Sequence, residues 1–335
     1  MEFEFFIGID VSKNELDFSV QRGKCFLFHK EIVNEPEAIK AFIKELSKLE
    51  GFSVGNSVFC LEHTGIYSNH LLACLYQKKG SICLESAIQI KKSLGNIRGK
   101  NDKVDSVRIA AYAYKNREDL RLWAPRREIV QELAHLSSTR SRLIKTKKIL
   151  KTPLKEYGAF VKNKVSKQNA AVCGEALKGI ESSLQKVEKA ITEIIRTDAE
   201  LNRLFNLVTS VKGIGKITAV QMIVTTNEFK NINNARSYAC YAGLAPYLEE
   251  SGLFKGKGRV SHMANKKVKT LLHMAALVAI QHDEELKRYY ERKIHIGKKN
   301  KMSVINAIRN KLVHRIFACV NKNRKYEKNY LKLVA

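Results

Sequence analysis

The chain has 335 residues, 44% of them hydrophobic and 28% charged, a globular usage that excludes collagen-like, disordered and small disulfide-stapled designs. Its length leaves room for two domains, or one domain with a long helical insertion. Sixty Lys and Arg against 33 Asp and Glu leave a formal charge of +27, a self-repelling surplus that points to a polyanionic partner, nucleic acid first. The surplus is uneven: residues 1–119 carry 17 basic and 16 acidic side chains, and residues 120–335 carry 43 and 17. Polyanion affinity therefore belongs to the second part. The neutral first part, which keeps its carboxylates, is the place to look for metal ligands. Seven cysteines without CxxC or Cys/His ligand spacing read as thiols in a reducing cytoplasm, most of them buried. No apolar run approaches the roughly 18 residues of a membrane span, and the start has no basic leader, so neither export nor a membrane partner is expected.

In chain order, the apolar alternation predicts three strands over Phe3–Ile9, Leu16–Val20 and Cys25–His29, then a helix over Pro36–Leu49 with Ile39, Phe42, Ile43 and Leu46 on one face. A strand at Ser57–Leu61, a helix at Tyr67–Gln77 and a strand at Ile82–Leu84 follow. Meander first and strand-helix units after predict a mixed sheet with helices on its faces. A helix over Asp102–Lys115, capped by Asn101 or Asp102, closes the neutral part. Beyond Pro125 the period becomes a heptad: Ile129, Leu133, Leu136, Arg140, Leu143, Lys147, Leu150, then Leu184, Val187, Ile191, Ile194, Asp198, Leu201, Phe205, Val208. Two such helices joined by a loop around 153–179 make an antiparallel hairpin or a dimerising coiled coil. From Ser210 onward helices are expected at Lys216–Val224, Asn265–Ile280, Asp283–His295 and Met302–Val320, with a basic glycine-rich loop near 252–259.

Four acids carry the first chemical signal. Asp10 ends the strand Phe5-Phe6-Ile7-Gly8-Ile9, and Glu62 ends Val58-Phe59-Cys60-Leu61. Asp102 and Asp105, three apart, share one face at the start of a helix. Singly, each is a strand-end or cap residue. Together they cannot stay ionised side by side without a cation, and hard oxygen donors favour Mg²⁺ or Mn²⁺.

The basic part offers three further features. Lys212-Gly213-Ile214-Gly215-Lys216 between two apolar helices reads either as a plain helix end or as a glycine hairpin giving backbone N–H groups to phosphate. Lys255, Lys257, Arg259, Lys266, Lys267 and Lys269 crowd the next stretch, and the last 84 residues hold 21 Lys and Arg against five acids, a density suited to phosphate-backbone contact that positions without specifying sequence. Ser251, before Gly252, is by itself a turn residue.

Gly8-Ile9-Asp10-Val11-Ser12-Lys13, Leu61-Glu62-His63-Thr64-Gly65 and Lys100-Asn101-Asp102-Lys103-Val104-Asp105-Ser106 resemble the three signatures of the DEDD transposases of bacterial insertion sequences, a family that includes the pilin-gene invertase. Val211-Lys212-Gly213-Ile214-Gly215, Tyr241-Ala242-Gly243-Leu244-Ala245-Pro246, Ser251-Gly252 and Leu286–Arg292 match in the same order. Glu250 stands where the family usually has Ser or Gln, Ala264-Asn265 where it has Gly-Asn, and Lys269 where Arg is common. The resemblance implies an α/β plus all-α architecture: a ribonuclease-H/RuvC-like mixed-sheet domain at 1–122, a coiled-coil dimerisation arm at 123–208 and a helical serine-bearing domain at 209–335. It implies a transposase or recombinase whose Asp10, Glu62, Asp102 and Asp105 hold Mg²⁺ and whose Ser251 attacks a phosphodiester to form a phosphoserine intermediate. The partners implied are double-stranded donor and target DNA, a structured guide RNA and further copies of the chain as dimer or tetramer. The rival readings are a metal-dependent nuclease or junction resolvase using water, and a nucleic-acid scaffold without activity.

Overall fold

The computed structural model describes residues 3–63, 65–93, 101–161, 163–247, 250–251, 254–256, 258–261 and 264–327, apart from the side chains of 250, 254, 255 and 259. The chain divides into two compact units, Met1–Pro125 and Arg126–Ala335.

The first unit is built on strands β1 (Phe5–Val11), β2 (Glu15–Arg22), β3 (Cys25–Val33), β4 (Ser57–Glu62) and β5 (Ser81–Glu85), in the order β3-β2-β1-β4-β5. β1, β2 and β3 pair antiparallel, and β4 and β5 join parallel. This is the ribonuclease-H order, and it makes the unit the mixed α/β domain expected. Side chains alternate between faces. One face, with Phe5, Ile7, Ile9, Phe18, Phe59 and Leu61, is covered by α1 (Pro36–Leu46) and α2 (Asn69–Gln77), and the tilted rings of Phe18 and Phe42 lie 4.5 Å apart. The other, with Phe6, Val58, Cys60 and Cys83, packs on Ile109, Tyr112 and Ala113 of α4 (Asp102–Lys115). A short α3 (Ala87–Ser93), absent from the sequence expectation, precedes α4.

Gly8 sets how closely α4 approaches. A Cβ there would lie 2.1 Å from the Ser106 carbonyl oxygen and 2.2 Å from the Ala110 nitrogen, backbone atoms that no rotamer change can move. Two buried hydrogen bonds, Ser19 Oγ to Ser106 Oγ (2.8 Å) and Gln21 Nε2 to the Ala110 carbonyl (3.2 Å), fix the helix along the sheet.

The second unit is helical: α5 (Glu128–Phe160), α6 (Asn163–Thr197), α7 (Ala199–Thr209), α8 (Lys216–Thr226), α9 (Ala235–Tyr241), α10 (Lys266–His282), α11 (Glu284–Glu291) and α12 (Lys301–Asn321). α5 and α6 form the antiparallel hairpin. The two polar seam positions are matched across it, Arg140 to Glu188 and Lys147 to Glu181, each at 2.7 Å. The spacing of seven on both helices is what antiparallel heptads require. The base of the hairpin is core: Val130, Leu133, Ile191 and Ile195 are buried with residues of α7, α8, α10 and α12.

Two sequence expectations for this region are corrected. Most of the loop expected at 153–179 is helix: α5 runs through Pro153 to Phe160 and α6 begins at Asn163, the long helix tolerating the missing N–H and ring clash of one interior Pro. The second heptad series is not one helix. Asp198 caps α7 by accepting the Leu201 N–H at 2.8 Å and forms a bidentate pair with Arg127, so a seam position is instead a helix break. Arg127 also holds Glu228, whose side chain is fully buried.

None of the described helices is long and apolar enough to cross a membrane. All seven cysteines are free: Cys60, Cys74, Cys83 and Cys319 are buried, and Cys25 is exposed.

Replacing Gly8 with Ala is expected to destabilise the protein by about 3 kcal/mol or more, since the new methyl can only be relieved by lifting α4. Chemical denaturation of the two proteins measures it, and a difference below about 1 kcal/mol would show that the packing there is not tight. Leu133→Asp, placing a carboxylate in the core of the helical unit, is expected to unfold that unit in the monomer, read as a fall in helical circular dichroism.

Candidate active site

The acids meet at the carboxyl ends of β1 and β4. Cα register Ile9↔Leu61 makes Asp10 and Glu62 neighbours on the next rung, on the face that carries Gly8 and Cys60 and therefore faces α4. Asn101 Oδ1 accepts the Val104 N–H at 2.7 Å and starts α4 at Asp102. Asp102 is exposed and Asp105 half-buried on the first turn, with the helix dipole directing its positive end at them.

Electrostatics place Asp10 under the charge of the other three carboxylates. Asp10 is pushed up to about 6, first by burial and then by the charges of Asp102, Asp105 and Glu62, against the lowering effect of the Val11 N–H that it accepts at 3.0 Å. The donor set is four carboxylates, hard oxygen donors whose chemistry suits a Mg²⁺ or Mn²⁺ ion. Among the described residues, no three Asp, Glu, His or Cys side chains are gathered closely enough to grip an ion as they stand. One reason is visible: Asp105 Oδ1 is held by Arg108 at 2.7 Å.

The sequence reading missed the flanking acids on the same face. Asp17 is the cross-strand partner of Asp10 and lies 2.8 Å from His29 Nε2, both largely buried. Glu85 pairs with Glu62 across β4 and β5 and accepts from the Tyr112 hydroxyl at 3.2 Å and the Ser86 N–H at 2.9 Å. Burial, then the Glu85 charge, drives the Tyr112 hydroxyl well above its usual range. The cue was the register: Asp17 has the parity of Ser19, and Glu85 ends its strand as Glu62 does.

Ser251 belongs to the second unit. It is exposed, in the two-residue strand β7 (Glu250–Ser251) paired with β8 (Phe254–Lys255), beside the pair β6 (Pro246–Tyr247) and β9 (Arg259–Val260). Lys257 lies outside the described residues, as do the side chains of Lys255 and Arg259.

The remaining basic positions divide. Lys212 and Lys266 are exposed. Gly213 has φ +91°, and a Cβ on it would sit 2.7 Å from the Ala275 carbonyl oxygen, so its glycine serves packing against α10. Gly215 opens α8 with space around it. Lys216 Nζ is engaged with the Glu188 carbonyl (3.3 Å) and the Thr192 hydroxyl of α6. Lys267 Nζ lies 3.4 Å from Ser137 Oγ, and burial and then Arg140 hold it below the usual lysine range. Lys269 approaches Gly243.

Known proteins share this sequence pattern. Residues 7–157 match the family model of the IS110-type DEDD transposases, described as "Transposase", and residues 205–291 match the model described as "Transposase IS116/IS110/IS902 family". The pilin gene-inverting proteins of Moraxella lacunata and Moraxella bovis are each 26% identical over 336 residues, covering 96% of this chain and 98% of theirs. An uncharacterized insertion element IS110 protein of Streptomyces coelicolor is 25% identical over 146 residues, 44% of this chain and 36% of its own. The Thermus thermophilus RuvC structure in complex with Holliday junction substrate aligns over 36% of this chain and 99% of that one at 12% identity and a TM-score of 0.29.

Because folding raises the Asp10 pKa from 3.8 to about 6, its contribution to stability is present below pH 4 and lost as pH rises through 6. In EDTA at pH 7, Asp10→Asn is therefore expected to be more stable than wild type by about 1 kcal/mol, with a flatter profile between pH 4 and 6. Denaturation at several pH values tests this, and a variant less stable than wild type at pH 7 would contradict the repulsive cluster.

Proposed function

We propose a covalent route for this chain, which belongs to the IS110 family of DEDD transposases and is a DNA transposase or recombinase. The observation that carries the proposal is the approach of Glu62, Asp102 and Asp105 to Asp10, whose carboxyl is pushed up to about 6 first by burial and then by their charges. These four would hold a divalent cation, Mg²⁺ or Mn²⁺. Bound there, it supplies Lewis-acid stabilisation of charge on a phosphodiester and lowers the cost of removing a hydroxyl proton.

The chain's own groups do the rest. Ser251 Oγ loses its proton and attacks phosphorus, an O–P bond to serine forms, and one sugar oxygen leaves and takes up a proton. Attack by the hydroxyl of a second strand reverses the step and joins DNA to DNA, releasing the serine with its proton. No net bond energy is spent, so strand exchange needs no nucleotide hydrolysis.

In this reading the acid unit of one subunit works with the serine unit of another, in a dimer or tetramer guided by a structured RNA. Exposed apolar side chains toward the far end of the hairpin, Ile149, Phe160 and Val172, support an arm that meets another copy. Exposed Lys212 and Lys266 and the basic loop support phosphate contact.

Ser251→Ala is expected to abolish both recombination and covalent trapping of DNA while leaving the fold and DNA affinity unchanged, since one exposed oxygen is removed. The measurement is denaturing electrophoresis of reactions on labelled duplex, followed by mass spectrometry of the attached peptide. Cleavage by Ser251→Ala at wild-type rate would establish attack by water, and an adduct on Tyr247 or Ser261 would establish a different nucleophile.

A further inference from the structure

We propose that the exposed stripe Lys148, Lys151 and Lys155 on α5 is a docking track for the phosphate backbone of duplex DNA, set on the hairpin arm and separate from the basic segment around Ser251. The proposal rests on the reading that this chain acts on DNA. It adds a second binding surface to the one at residues 255–269.

The charge pattern of α5 motivates it. Between Glu132 and Glu156 the sequence has no acid in 23 residues and seven cations: Arg140, Arg142, Lys145, Lys147, Lys148, Lys151 and Lys155. Two of these are consumed by the hairpin, Arg140 with Glu188 and Lys147 with Glu181. Lys148, Lys151 and Lys155 are exposed and have no ion pair among the described residues. At intervals of three and four they stand on one face, and with Ile144, Lys147 and Thr152 they line an open depression.

A stripe of this kind has a cost. Like charges at such spacing each weaken the isolated helix by a few tenths of a kcal/mol, and apart from Glu181 acting on Lys151 across the hairpin, no carboxylate among the described residues pairs with the stripe to offset it. A polyanion offsets it, by exchanging its condensed counterions for the lysines.

Geometry favours a duplex over a single strand. Lys148 to Lys155 spans about 10 Å along the helix at 1.5 Å per residue, and duplex DNA offers one phosphate per about 1.7 Å of axis. Three ammonium groups can therefore each meet a phosphate without bending the helix. Residues 140–155 contain no aromatic side chain, so the stripe has no platform on which unpaired bases could stack. Flexible lysines without a bidentate fork grip phosphate as point charges and read no sequence.

The test uses the full chain and the triple variant K148Q/K151Q/K155Q. Binding of a labelled duplex without inverted-repeat sequence is measured by fluorescence anisotropy over a range of salt, beside a labelled RNA hairpin. Circular dichroism and melting confirm that the exposed substitutions leave the fold intact. The duplex affinity of the variant is expected to fall about tenfold or more near 0.15 M salt, and the slope of log Kd against log salt to fall by roughly 2 to 3, at about 0.9 for each phosphate no longer neutralised. Unchanged duplex affinity and slope, in a variant whose wild type binds DNA, would overturn the track and leave the transposase reading standing. An effect confined to the RNA hairpin, or to self-association in sedimentation, would also overturn it. Failure of the wild-type chain to bind any duplex would overturn both readings.

Discussion

The close approach of α4 to β1 at Gly8 is the packing constraint on which the acid site depends. Asp10 and Glu62 come from neighbouring strands and would be adjacent in any sheet of this register. Asp102 and Asp105 come from a helix that must be brought within charge range of them. With any larger residue at position 8 the helix would have to stand off, because the atoms a Cβ would meet are the Ser106 carbonyl and the Ala110 amide. Ser106 and Ala110 are also the partners of Ser19 and Gln21, so the same two residues set both the height and the slide of the helix. A carboxylate displaced by about one ångström from about 5 Å loses roughly a sixth of its Coulomb coupling, and a metal shell tolerates far less.

Charge separation between the two units follows from incompatible tasks. The acid cluster needs a surrounding that does not neutralise it, and residues 1–119 are nearly balanced. The helical unit carries the surplus, and it solves its own repulsion by matching cations individually. Arg140 and Lys147 find acids across the hairpin, Arg127 joins Asp198 to the buried Glu228, and Arg315 holds Asp283 at 2.8 Å. These pairs are buried or half-buried at one end, where removing one partner is expensive. Arg309 is buried against His273, while exposed cations such as Lys212 and Lys266 lie on surfaces where a polyanion can meet them.

Legibility in the sequence tracks how local the physics is. The first unit is legible almost element by element, because strand alternation and the Asn101 cap are properties of short windows. The order β3-β2-β1-β4-β5 is less local, since it follows from the meander and the strand-helix units after it. Asp10, Glu62, Asp102 and Asp105 stand out as acids ending apolar strands and opening a helix, and the mutual effect on Asp10 needs only that they meet. The helical unit is harder. Heptad periodicity continues through Asp198, which instead caps α7 through the Leu201 N–H and also pairs with Arg127, 71 positions away, a partner that periodicity cannot reveal. Pro153 looks like a terminator, yet a 33-residue helix absorbs one such defect. Gly213 and Lys216 look like phosphate ligands in sequence, and their packing on α10 and α6 is a tertiary fact with no local trace.

The acid face itself has a division of labour that the register explains. Asp17, Asp10, Glu62 and Glu85 occupy successive strands on the face toward α4. The outer two are committed to protein donors: Asp17 is satisfied by His29, and Glu85 by Tyr112 and the Ser86 amide. Asp10, between them, accepts one backbone N–H and remains under the charge of three other carboxylates. A row of four unsatisfied acids would either unfold the sheet edge or take up protons at neutral pH. Tying off the flanks confines the repulsion to the centre of the row, where Asp102 and Asp105 descend from the helix. The charge acting on Asp10 from Glu62, Asp102 and Asp105 is thus concentrated at the centre of the row, with the flanking acids as its frame.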